Sequence, residues 1–171
     1  MKPAVIWLIG YSGAGKTTLA QGLAESLRSS GTSVEVLDGD VVRGQKKRTD
    51  FSREARLEHL RSMALEAAQF EKSGSVVIGA FITPYEEARR FLRQSCQHYI
   101  EVWVDTSLAD CEKRDVKGLY GKARRGDISH FTGISDIFDE PKDADIRLST
   151  SDRTVQETLA ELTQKLAALA K

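Results

Sequence analysis

The sequence predicts an α/β fold in which a five-stranded parallel sheet carries helices on both faces. Two observations support this. Five apolar runs of strand length are separated by helix-period segments, and those runs are expected to be apolar throughout instead of alternating with polar residues. A strand covered on both faces reads this way, and strands joined through helices run parallel. Size adds a limit: 171 residues with 40% hydrophobic content suffice for one well-buried core, so a single domain over residues 1–171 is expected.

The elements follow in chain order. Ala4 to Ile9 forms the first strand; a lysine stands before it, but the run meets a glycine turn too soon to serve as the apolar region of a secretion signal. A helix over Thr17 to Ser29 leads to a second strand, Ser33 to Leu37. The long helix Ser52 to Lys72 precedes a third strand, Ser75 to Phe81, and the helix Pro84 to Cys96 precedes a fourth, Tyr99 to Val104. After a short helix from Leu108 comes an irregular stretch, Asp115 to Asp143, then a fifth strand over Ile146 to Ser149 and a last helix from Thr154. A loop of that length inside a compact domain is usually functional or disordered.

Charge and cysteine content exclude several classes. Lysine plus arginine equals aspartate plus glutamate at 25 each, so no net field draws the molecule to nucleic acid or an anionic membrane. No run approaches the roughly 20 apolar residues of a membrane span. Cys96 and Cys111 lack CxxC spacing and histidine neighbours, which suggests reduced thiols in a cytoplasmic protein. His98 and His130 stand alone, without a second ligand at metal spacing, and are expected at the surface or as caps.

The glycine turn is the strongest motif. Gly10-Tyr-Ser-Gly-Ala-Gly15-Lys16-Thr17 fits G-x-x-x-x-G-K-[ST] directly between a strand and a helix, the context this phosphate-binding loop (P-loop) requires. Glycines let backbone N–H groups converge on phosphate oxygens, the helix N-terminus adds positive potential, Lys16 reaches the β- and γ-phosphates, and the Thr17 hydroxyl can ligate Mg²⁺. No NKxD follows, and the DxxG at Asp115 to Gly118 lies in the late irregular stretch, so a GTPase is not indicated. Asp38-Gly39-Asp40 closes the second strand. Ligands of open parallel sheets bind at the strands' carboxyl ends, where one carboxylate can activate an attacking hydroxyl. The same residues also suit an Asp-capped turn, and from spacing alone both readings stand.

These residues resemble the adenylylsulfate (APS) kinases, which move the γ-phosphate of ATP to the 3′-hydroxyl of APS. The likeness runs through "IWLIGYSGAGKTTLA", "VEVLDGDVVR", "FSREARLEHLR", "VVIGAFITPY" and "VDTSLADCEKRDVKGLYGKARRGDISHFTGI", the last block being the most specific. The resemblance implies a kinase-type P-loop fold with strand order 2-3-1-4-5, ATP and Mg²⁺ as cofactors, a mobile lid over about 115–141, and pairing into a homodimer. ATP would be bound by Gly10, Ser12, Gly13, Ala14, Gly15, Lys16, Thr17 and Thr18, with Arg114 by its adenine. Asp40 would activate the acceptor with Asp38 near metal and phosphates. Arg43 and Arg56 would hold the acceptor's phosphosulfate, and Phe51 and Phe131 would clamp its adenine. His59, Ile82, Thr83, Lys117, Gly118 and Leu119 would complete the acceptor pocket, and Lys117, Lys122, Arg124 and Arg125 would carry charge on the lid.

Several positions depart from the family's pattern: Val41 stands for Asn, Ala55 for Asp, His59 for Asn, Thr83 for Ser and Glu86 for Arg, and the segment 44–50 is shorter. All are on the acceptor side. They keep open a kinase acting on another nucleotide-linked acceptor, such as cytidine diphosphoramidate in surface-polysaccharide synthesis, and a nucleotide-binding module without catalysis.

Overall fold

Alternation along the first strand decides how the layers form. In the structure, a computed structural model that describes residues 1–41 and 52–169, β1 (Ala4–Ile9) is buried throughout. Its side chains point to opposite faces with period two: Ile6 and Leu8 enter one core cluster, while Val5, Trp7 and Ile9 enter another. The first cluster is covered by α1 (Lys16–Ser29) and α6 (Val155–Leu169), the second by α2 (Arg53–Lys72) and α3 (Glu86–Ser95).

With β2 (Val34–Asp38), β3 (Val76–Ala80), β4 (Tyr99–Val104) and β5 (Ile146–Leu148), the sheet has the expected order β2-β3-β1-β4-β5. Every pairing is parallel. Helix starts follow local chemistry. Ser52 and Ser107 accept from the backbone N–H three residues on, and Thr154 with Glu157 forms a reciprocal capping box before α6. Among the described residues no helix is long and apolar enough to cross a membrane.

Two local expectations change. The stretch Asp115 to Asp143 contains α5 (Leu119–Arg124) after α4 (Leu108–Arg114). Asp115 starts α5 by accepting from Tyr120 N–H at 2.9 Å and Gly121 N–H at 3.1 Å. Also, β4 is not apolar throughout: Glu101 is buried in the sheet with Arg89 Nε at 3.8 Å and Tyr99 Oη at 3.1 Å. Burial raises its carboxyl pKa, and Arg89 opposes the rise.

One close approach on the sheet reaches the functional end of the molecule. Trp7 pairs with Gly79 in register, stacks on Phe81 at 4.7 Å, and donates its indole N–H to Thr83 Oγ1 at 2.9 Å. A Cβ on Gly79 would fall 2.1 Å from the indole. Gly79→Ala is therefore expected to lower unfolding free energy by about 1–3 kcal/mol, read from denaturant midpoints. An unchanged midpoint would mean that the indole yields at no cost.

Candidate active site

The cradle is formed by backbone whose carbonyls all find donors. Gly10 O and Tyr11 O accept from Lys16 Nζ at 3.0 and 2.7 Å. Ser12 O accepts from the Tyr120 hydroxyl at 2.8 Å and Gly13 O from Arg114 Nη1 at 3.3 Å. Ala14 O accepts from Thr150 Oγ1 at 2.9 Å, with Thr106 Oγ1 at 3.4 Å. Drawing the carbonyls to these donors leaves the loop's amides to converge on an anion. Gly15 caps α1 in the left-handed region (φ 97°), no side chain caps that end, and the first turn carries no acid. A β-substituted residue would be strained there, and an uncapped helix N-terminus favours phosphate.

Lys16 is buried, and desolvation lowers its pKa to about 8. From the cradle, hydrogen bonds lead to the end of β2. Thr17 Oγ1 donates to Asp38 Oδ2 at 2.6 Å, and Asp38 Oδ1 accepts from Asp40 N–H at 2.8 Å. Asp40 is paired with Lys117 from the segment before α5. Ser12, Gly13, Gly15, Lys16, Thr17 and Thr18 share a cleft of about 710 Å³ with Asp38 and Asp40. Arg56, Ile82, Lys117, Leu119 and Phe131 also line it.

Other expected site residues either do not line this cleft or are not described. Arg43 and Phe51, like the short 44–50 segment, fall outside the described residues. Thr83 does not line the cleft: it is buried with its hydroxyl on Trp7, because a left-handed backbone (φ 45°) turns the chain there. His59 is likewise buried, its ring edge-on to Phe81 at 6.0 Å. Gly10 and Ala14 belong to the cradle but do not line the cleft, and Gly118 is the left-handed cap of α5. Arg114 braces the back of the loop through Gly13 and Thr150.

Of the four lid cations, only Lys117 lines the cleft. Arg124 pairs with Glu112 at 2.8 Å and Arg125 with Asp127 at 3.2 Å. Phe131 packs edge-on to Tyr120 at 5.0 Å.

A sequence pattern described as adenylylsulphate kinase matches residues 2–149. The chain belongs to the adenylylsulphate kinase family. It is 45% identical over 170 residues to the adenylyl-sulfate kinase of Paraburkholderia xenovorans, covering 98% of this chain and 95% of that one. To that of a Synechococcus strain it is 43% identical over 162 residues, covering 94% and 92%. Among solved structures, the Mycobacterium tuberculosis APS kinase CysC in complex with AMPPNP and APS superposes with a TM-score of 0.90 at 38% identity, covering 97% of this chain and 98% of that one.

In this family member, sequence reasoning missed part of the cleft. Ile128, Ser129 and Thr132 line it, and so does His130, which is exposed as expected. The signal available was position: these residues adjoin Phe131 inside the most specific sequence block.

Proposed function

We propose that the chain transfers the γ-phosphate of ATP to the 3′-hydroxyl of adenylylsulfate, giving 3′-phosphoadenylylsulfate. The observation that carries this reading is the place of Asp40, which shares a cleft with the phosphate cradle, is linked to Thr17 through Asp38, and is paired with a lid lysine. A hydroxyl bound beside Asp40 meets a base for its proton and lies near the cradle that holds the phosphoryl group. Lys117 then exchanges Asp40 for the anionic groups of the substrates, so the cation that restrains the base also draws the lid over the reaction and helps exclude water. Segment 115–141 serves as that lid, within one domain spanning 1–171.

Thr17 and Asp38 offer a hydroxyl and a carboxylate oxygen, a donor set that suits a hard cation. Mg²⁺ held through Thr17 would supply neutralising charge for the phosphates. The reaction is assigned to the cytoplasm, where ATP is available, and the homodimer implied by the family likeness is checked by sedimentation.

The departures that fall among the described residues do not favour a different acceptor. His59 and Thr83 are buried away from the cleft, and Glu86 pairs with Arg89 at 2.8 Å. Of the five substituted positions only Val41 lines it. A module without catalysis would have no use for Asp40 in this position.

The test supplies ATP with labelled γ-phosphate to the purified chain with adenylylsulfate, a cytidine-linked analogue, or no acceptor. Label is expected in 3′-phosphoadenylylsulfate. Transfer to the cytidine analogue alone, or no transfer with ATP bound, overturns the proposal.

A further inference from the structure

We infer that Asp136 is a positioning residue: together with Tyr85 it holds the Arg56 guanidinium in the acceptor wall of the cleft and so sets acceptor affinity without touching the reacting atoms. The inference deepens the phosphotransfer reading above and rests on it.

A single carboxylate oxygen joins the two partners. Asp136 Oδ2 accepts from Arg56 Nη1 at 2.6 Å and from the Tyr85 hydroxyl at 2.5 Å. The carboxylate is itself fixed: Oδ1 accepts from Ile137 N–H at 2.8 Å, and the Asp136 backbone carbonyl accepts from Gly133 N–H at 2.8 Å. Tyr85 is fully buried in the core beneath α2 and α3, so its hydroxyl is an immobile reference point. Burial, then the bond to Asp136, pushes that phenol up to about 12, which keeps it a donor at any working pH. Arg56 also donates to two residues that line the cleft, to His130 O at 3.1 Å and to Thr132 Oγ1 at 2.5 Å.

A carboxylate beside an anion-binding arginine would seem to weaken it. Arg53 lies 4.2 Å and Arg56 5.1 Å from the Tyr85 ring, so two guanidiniums gather at the ring whose hydroxyl binds Asp136. The gain is order. A long arginine loses rotamer freedom on binding, and holding it beforehand removes that cost from the binding step.

The test compares Asp136→Asn, Tyr85→Phe, Arg56→Ala and the Asp136→Asn/Arg56→Ala double variant in the full chain. Asp136→Asn should raise KM for adenylylsulfate about tenfold, as expected for losing a charged hydrogen bond, with KM for ATP and kcat little changed. Tyr85→Phe should move the same constant in the same direction. In the Arg56→Ala background, Asp136→Asn should add nothing, because it acts through that arginine. An unchanged acceptor KM, a parallel rise in KM for ATP, or an additive double variant overturns the inference.

A second readout is independent of acceptor chemistry. The side-chain ¹⁵N spectrum of Arg56 should show resolved Nη–H signals in the wild type that average in Asp136→Asn. Signals still resolved without the carboxylate overturn the inference even if the protein fails to phosphorylate adenylylsulfate. That failure would defeat the proposed function alone, leaving the arginine spectrum to decide Asp136.

Discussion

Asp40→Ala is expected to lower kcat for transfer to adenylylsulfate by about 10²- to 10⁴-fold, the usual contribution of a positioned general base, while nucleotide affinity changes little. Asp40 is linked to the cradle through its backbone: its N–H bonds Asp38, and Asp38 accepts from Thr17. The backbone bond survives truncation of the side chain, so the cradle should keep its shape. Folding should be nearly unaffected as well. The Asp40–Lys117 pair has side chains 45% and 47% exposed, and ion pairs this open contribute about 0–1 kcal/mol. Single-turnover transfer and nucleotide titration on the same preparation separate the effects. Near wild-type turnover would remove Asp40 from the role of base; lost ATP binding would make it part of the cradle.

The P-loop and the strands were legible because their signals are local. The boundaries of β1 and β4 agree with the expected ones, since each is a largely apolar run between turn residues, and the cradle's glycines, lysine and threonine are contiguous. α5 was not legible: Leu119–Arg124 is too short for helical periodicity to emerge. Side-chain direction was harder still. Thr83 lies beside Ile82 in sequence, but its left-handed backbone sends it into the core while Ile82 faces the cleft. The Arg56–Asp136–Tyr85 cluster draws on α2, the turn before α3 and the segment after α5. No spacing rule brings residues so far apart in the chain together; the fold does.

Lys16→Met is expected to reduce kcat/KM by on the order of 10²- to 10³-fold, comparable with losing a donor aimed at developing charge. It should also remove a pH dependence built into the cradle. Burial lowers the Lys16 pKa from 10.5 to about 8, so between those values the unfolded chain retains a proton that the folded chain has released. More protons bound in the unfolded state means that stability rises with pH. Lys16 therefore makes its full unfavourable contribution to ligand-free stability below about pH 8, and that contribution is relieved as pH rises toward 10.5. Nucleotide phosphates reverse the balance by placing negative charge against the ammonium in exchange for the carbonyls of Gly10 and Tyr11, which raises its pKa. ATP binding above pH 8 should then take up a proton, and affinity should fall by up to about tenfold per pH unit across the window. Calorimetry in two buffers of different ionisation enthalpy reads the proton directly. Uptake that persists in Lys16→Met would assign it to another group; no uptake in the wild type would mean that Lys16 stays charged in the empty cradle, its two carbonyl bonds compensating for burial.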